Sequence, residues 1–209
     1  MRLFGKRKVS LNAAPPLLQT PRLVLRGFDP SDAVDVLARA RGEAAGAMAS
    51  APPCQSHEES RRTVEGFIRG GSTWAVVEKR SGHVIGAVAL APDSGREVEG
   101  ALALGYTLGE QYRDQGYAVE ACAAVLAYAF DELDSPVVSA GHELTNQRSR
   151  RVFKKLGFTC EGTARRARML SGGEYADEIR YSLLREEYRP QPAPLSLIHL
   201  CRCRRLLEC

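Results

Sequence analysis

The sequence predicts a mixed α/β (α+β) domain, one sheet carrying helices on both faces. Strand-like segments cluster in its first half, whereas its second half alternates strand, helix, strand, helix and strand. Its length fits one such unit: 209 residues, 44% hydrophobic and 26% charged, are enough for a sizeable core plus extensions. That composition argues against disorder, a collagen-like repeat or a small disulfide scaffold, and no internal repeat or low-complexity tract interrupts the chain.

The first elements are read from caps and periodicity. Residues 1–17, with Arg2, Lys6, Arg7, Lys8 and a Pro15-Pro16 pair, form a flexible basic arm ahead of a domain over residues 18–188. Arg22 to Phe28 alternates and predicts a strand. Asp29 then caps a helix with Pro30 at its first position and Asp32 in its first turn, and Val34, Val36, Leu37 and Ala40 supply its buried side. Residues 42–53 are Ala/Gly-rich and predict an irregular connection. Ser56 followed by Glu59 is a capping-box pattern, and Val64, Phe67 and Ile68 give the apolar stripe of a second helix.

Strands dominate next. Thr73–Glu78 and Val84–Leu90, separated by Lys-Arg-Ser-Gly, predict a hairpin, and Ala101–Leu108 a further strand. Ala118–Leu133 reads as a long helix, Pro136–Ala140 as the start of a short strand, and Asn146–Leu156 as a helix closed by Gly157. Phe158–Gly162 and Asp177–Leu184 complete the sheet through a Ser-Gly-Gly turn. Residues 189–209 form a Pro-rich exit and a Cys/Arg-rich tail.

Charge placement limits the function classes. The formal net charge is +4, but the cations of the arm and of the tail (Arg189, Arg202, Arg204, Arg205) account for more than that, leaving a net acidic body. A nucleic-acid-binding body is not implied. The cationic run Arg148, Arg150, Arg151, Lys154, Lys155 reads as a solvated helix face, because Val152, Phe153 and Leu156 form the apolar side. No apolar run approaches the ~20 residues of a membrane span, and no apolar segment follows the basic start as in a signal peptide. Of six cysteines, Cys54, Cys122 and Cys160 are scattered singly and Cys201, Cys203 and Cys209 crowd the tail. Reduced thiols in a cytoplasmic protein fit this better than disulfides, and no metal is expected without a fourth ligand at useful spacing. Nucleotide hydrolase, zinc peptidase and serine hydrolase motifs are absent.

The segment that carries chemistry is residues 105–121. Arg113, Gly116 and Ala118 form R-x-x-G-x-A where a loop enters a helix. Amide groups there lack intrahelical partners and converge readily on a phosphate, Gly116 allows close backbone approach, and Arg113 adds a cation. A second constellation, T-N-Q-R-S-R-R-V-F-K-K-L-G-F, spans residues 145–158 after the next strand.

Together these segments resemble the GNAT superfamily of acyl-CoA-dependent N-acetyltransferases, and more closely its branch that acetylates ribosomal-protein N-termini. The matching elements include Leu104-Gly105-Tyr106, Gly116 to Ala121, Tyr128-Ala129-Phe130, Asn146 with Ser149, Lys155 to Phe158, and Glu161-Gly162. The opening L-x-T-x-R-L-x-L-R (Leu18 to Arg26) and a late Gly173-x-x-x-Asp177 also match, so the resemblance covers about residues 18–188. It implies a mostly antiparallel central sheet splayed between two parallel strands. It also implies acetyl-CoA as co-substrate in that opening, with its pyrophosphate on the amides of Arg113, Asp114, Gln115, Gly116, Tyr117 and Ala118. Asn146 would bond the pantetheine or neighbouring backbone, Ser149 would line the same site, and amides near Tyr106 to Leu108 would face the thioester carbonyl.

The implied chemistry asks for a neutral amine, a polarised thioester and a protonated thiolate. Many relatives protonate the thiolate with a tyrosine seven residues after the asparagine; here that residue is Phe153, a departure. The closer branch uses a serine that Ser149 matches. For the base, His142 and Glu143 end the strand entering the site and Glu161 lies on the strand beyond. A carboxylate of the ribosomal branch is replaced by Arg166-Ala167-Arg168. The expected activity is acetyl transfer to a primary amine, on a protein N-terminus, an antibiotic or a metabolite, by direct attack in a ternary complex. The other class is an acyl-CoA-binding regulatory protein that lost turnover. A homodimer is compatible with the sequence, and nothing in it decides the point.

Overall fold

The computed structural model describes residues 14–40, 54–170 and 173–190. Most of the arm, the Ala/Gly-rich connection at 42–53 and nearly all of the tail, including its three cysteines, lie outside the described residues.

Among the described residues, eight strands form one mixed sheet: β1 Leu18–Gln19, β2 Leu23–Gly27, β3 Thr73–Glu78, β4 Val84–Pro92, β5 Leu102–Leu108, β6 Val137–Glu143, β7 Thr159–Met169 and β8 Tyr175–Leu184. Their order is β1-β2-β3-β4-β5-β6-β8-β7. Every neighbouring pair is antiparallel except β5 and β6. Among the described residues, four helices, α1 Ala33–Ala40, α2 His57–Gly70, α3 Tyr117–Ala127 and α4 Gln147–Lys155, cover the faces. Strand β3 shows why two faces are needed, for all six of its residues are buried. Trp74 and Val76 join the large core under α3 and α4, while Ala75 and Val77 join Phe28, Val36 and Val64 under α1 and α2.

The caps follow the sequence closely. Asp29 accepts from the Ser31 amide at 2.9 Å and the Asp29 amide donates to Asp32 at 2.8 Å, a closed capping box that opens a 3₁₀ turn at Pro30–Asp32 and leads into α1. Asp32 stands in the first turn as expected, and it is buried and bonded bidentately by Arg26 at 2.8 Å. Val34 is 63% exposed, and Ala33 takes the inward position because the 3₁₀ turn rotates the helix start. In α2, Ile68 likewise points outward, and Ser60, donating to the His57 carbonyl at 2.8 Å, fills the buried face beside Val64. The long helix anticipated to Leu133 is α-helical only to Ala127 and continues as a π-helical turn over Tyr128–Glu132.

The functionally decisive irregularity is between β5 and β6. Their parallel ladder holds only at Leu102↔Val138 and Ala103↔Ser139. Past it, β5 stays paired with β4 as far as Leu108, and β6 stays paired with β8 as far as Glu143. The facing edges of 104–108 and 140–143 therefore part, leaving backbone donors and acceptors that an inserted ligand can pair. Strand β7 runs to Met169, seven residues beyond its expected end at Gly162; its side chains are mostly exposed, so no apolar alternation marks it, and the ladder to β8 alone defines it. Among the described residues, no helix is long and apolar enough to cross a membrane.

Candidate active site

Two cavities lie beside this opening. The first, about 610 Å³, is walled by Tyr106, Leu108, Arg113, Asp114, Gly116, Tyr117, Ala118, Glu143, Asn146 and Ser149, among others. The second, about 420 Å³, takes Gly105 and Tyr106 from β5, Ser139 to Gly141 from β6, and charged side chains from β7, β8 and the loop after β4. Tyr106 belongs to both.

The first cavity is built around two helix starts. Gly116 caps α3 with φ +83°, a left-handed conformation that glycine adopts without Cβ strain. It supplies no capping side chain, and the first amide to find a partner within α3 is that of Glu120, bonded to the Gly116 carbonyl at 3.0 Å. The earlier amides therefore stand at the cavity wall with the positive end of the helix dipole behind them. The loop is braced from below. Arg22 donates to the Gln115 carbonyl at 3.0 Å and to Glu120 at 2.6 Å, and its guanidinium sits 4.3 Å over the Tyr117 ring. The Tyr117 hydroxyl in turn donates to buried Glu78 at 2.5 Å; that bond, with a second from Ser81, holds the Glu78 carboxyl below the usual range.

The start of α4 forms the opposite wall. Asn146 accepts from the Ser149 amide at 3.0 Å, a regular N-cap that ties its side-chain oxygen to the backbone. Ser149, 2% exposed, accepts from the Tyr106 hydroxyl at 3.0 Å. Burial pushes that phenol up, so it stays protonated and its proton faces Ser149. The Tyr106 ring meets Phe153 edge-on at 6.1 Å, which places a phenol from β5 beside the position where the expected tyrosine is missing. At the outer mouth, Asp114 lies 3.4 Å from Arg148 and 3.3 Å from Arg151.

Ten of the sequence-predicted residues thus line one cavity, and three do not. Gln115 is exposed, its side-chain amide donating to the Gln111 carbonyl at 2.8 Å. His142 is fully buried and reaches neither cavity directly. Its Nδ1 faces the Glu143 carbonyl at 2.6 Å, which only accepts, so Nδ1 carries the proton and Nε2 accepts from Tyr181 at 3.1 Å. Its ring stacks on Phe153 and Tyr181, because strand alternation turns it under α4 with Ala140. Glu161 opens on the second cavity, where Arg96 bonds it at 2.5 Å and lowers its pKa. The sequence reading missed Tyr181, Glu178, Arg168, Arg180, Arg96 and Asp93, all on that second wall. Among the described residues no group of His, Cys, Asp and Glu side chains gathers as a metal site.

This geometry, an opened parallel pair flanked by an uncapped helix start, has relatives. Residues 22–159 match the family model of the acetyltransferase (GNAT) domain. Over 85 residues, 41% of the chain, it is 35% identical to YnaD and 33% identical to YdaF of Bacillus subtilis, named an uncharacterised N-acetyltransferase and, provisionally, a ribosomal N-acetyltransferase. Those matches span about half of each relative (49% and 46%). The fold superposes on the ribosomal-protein-S5-alanine acetyltransferase of Vibrio fischeri with a TM-score of 0.67 at 22% identity, covering 84% of this chain and 100% of that one. The chain belongs to the GNAT family of acetyltransferases.

Proposed function

We propose that the protein moves an acetyl group from acetyl-CoA to a primary amine by direct attack in a ternary complex. The observation that supports this most is the meeting of two cavities at Tyr106 across the unpaired stretch of β5 and β6. A thioester lying in that stretch is reachable from the side that the pantetheine does not fill. The first-turn amides of α3 and Arg113 receive the pyrophosphate, Arg148 and Arg151 attract the remaining phosphate charge, and the free amides of β5 near Tyr106 to Leu108 polarise the thioester carbonyl. The amine nitrogen attacks the carbonyl carbon, the C–N bond forms, the C–S bond breaks, and the nitrogen gives up one proton.

The leaving thiolate needs a proton or a hydrogen bond. Tyr106 donates to Ser149, which leaves the Ser149 hydroxyl hydrogen for a different acceptor, and Ser149 lines the first cavity. A serine hydroxyl is a weak acid; this pair acts by holding the sulfur's developing charge and relaying a proton. Glu143, which lines the first cavity, and His142, bonded to the Tyr181 hydroxyl, are the candidate acceptors of the amine's proton. An α-amine, with a free pKa near ~7.7–8, makes a small demand on either. The names of YdaF and of the Vibrio fischeri enzyme point to protein acceptors, and a small-molecule amine meets the same chemical demand.

Calorimetric titration of acetyl-CoA, followed by free-thiol release with an amine and peptide panel, tests the reading. Binding with thiol release is the expected result. Absence of binding overturns it, and binding without release on any amine favours the regulatory alternative, to which Phe153 lends its missing hydroxyl.

A further inference from the structure

The second cavity has a polarity that suits some acceptors and opposes others. It runs through the opening between β5 and β6: Ala140, Phe153 and Tyr181 line it on the α4 side, while Ser139 and Gly141 face the other side. Three carboxylates, Asp93, Glu161 and Glu178, and three guanidiniums, Arg96, Arg168 and Arg180, line it. These charges are sorted. Arg96 pairs with Asp93 at 3.3 Å and Glu161 at 2.5 Å at one end. At the other end, Glu178 faces Arg168 at 2.8 Å through Oε1.

Glu178 stands directly against the splay. A Cβ on Gly141 would come 2.6 Å from the Glu178 carboxyl carbon and from Oε1, so only glycine lets this carboxylate lie across β6 there. Gly141 is two residues beyond Ser139, where the β5–β6 ladder ends. Arg168 reaches Glu178 because β7 shifts register between Ala164 and Arg168, with Arg166 at φ +48° and its amide held by Asp177 at 2.8 Å. That bulge re-aims the arginine inward. Among the described residues, Glu178 Oε2 pairs only with the Arg180 Nε, at 3.4 Å. Arg180 is half-exposed, and among the described residues its terminal nitrogens make no ion pair. Glu178 and Arg180 are two apart on β8, so they share a face at a spacing of about 6.6 Å.

We propose that this cavity takes a small zwitterionic acceptor, an amino acid whose primary amine and carboxylate are separated by one or two carbons. Glu178 Oε2 accepts from the amine end beside the opening, and Arg180 receives the carboxylate in a two-pronged contact. The inference rests on the acetyltransferase reading above. The balanced reaction converts the ammonium form of the amino acid and acetyl-CoA into the N-acetyl amino acid, free CoA thiol and one proton. Polyamines and aminoglycosides would bring a further cation against Arg180, and a peptide N-terminus would offer an amide where Arg180 meets an anion.

Initial rates of thiol release from the full chain, at saturating acetyl-CoA, test this with the amino acids, their methyl esters, spermidine and N-terminal tetrapeptides. Free amino acids should be acetylated with kcat/KM at least ~10-fold above their own esters, the gap expected of one charge-assisted contact. Arg180→Gln should collapse that ratio about tenfold through KM, while Glu178→Gln should lower kcat/KM for acids and esters together. Unchanged melting temperatures would show that both variants fold. Equal or better turnover of esters, peptides or spermidine overturns the inference and leaves the transferase reading standing, as does acetyl-CoA binding with release on none of the amino acids once another amine reacts. Absence of acetyl-CoA binding overturns the transferase reading itself.

Discussion

Ser149 and Tyr106 show how much of this site depends on single hydrogen bonds. Tyr106 donates to Ser149 across 43 positions of sequence, joining β5 to the start of α4 at the point where the two cavities meet. Truncation of the serine, Ser149→Ala, should lower kcat while leaving acetyl-CoA affinity nearly unchanged, measured by steady-state kinetics beside calorimetry; an unaltered rate would remove Ser149 from the mechanism. Tyr106→Phe leaves the serine without its donor and should reduce kcat about tenfold, one neutral hydrogen bond's worth. The same kcat in that variant would show that Ser149 works alone. The sequence motif was sufficient to single out Ser149 and Tyr106 but not their bond, since spacing along the chain carries no information about which side chains meet across a sheet opening.

Helix starts are the elements that make the cavity, and each is tested by its cap. The α3 start carries no side-chain cap, which leaves its amides to a ligand. Gly116→Asp brings a Cβ to 3.3 Å from the Arg22 guanidinium and adds a negative charge to the phosphate loop. Aspartate enters the left-handed region more readily than most residues, so the variant should fold, with acetyl-CoA binding abolished; micromolar affinity retained in calorimetry would relocate the phosphate site. The α4 start is capped by Asn146, and Asn146→Ala should cost about 1 kcal/mol, a fall of roughly 2–4 °C in the unfolding midpoint. Both caps were legible, because R-x-x-G-x-A and N-x-x-S are local patterns. The β7 bulge was not: its Arg165–Arg168 stretch has no alternation, and only pairing with β8 gives it a register.

Across the whole molecule, the brace beneath the phosphate loop couples stability to pH. Although burial alone would raise it, Glu120 has its pKa lowered from the ordinary 4.5 by hydrogen bonds from Thr20 and from the amide and guanidinium of Arg22. A carboxylate lowered in the folded state stabilises above its unfolded pKa and loses that contribution as pH falls through the folded value. Thermal unfolding midpoints should therefore fall as pH drops below about 4.5, and Glu120→Gln should lower the midpoint at pH 7 while flattening that acid slope. An identical slope in the variant would place the acid sensitivity elsewhere, for instance at Glu78 or Glu161. By itself the sequence determined the fold class, the family, the two helix starts and ten of the residues on the first cavity wall, because caps, turns and hydrophobic periods are written in neighbouring residues. Only the tertiary structure decided that His142 is buried under α4, that β8 lies between β6 and β7, and that Glu178 crosses Gly141 to meet Arg168. Those outcomes depend on strand order and register, which are set by packing between segments far apart in the chain and leave no local pattern to read.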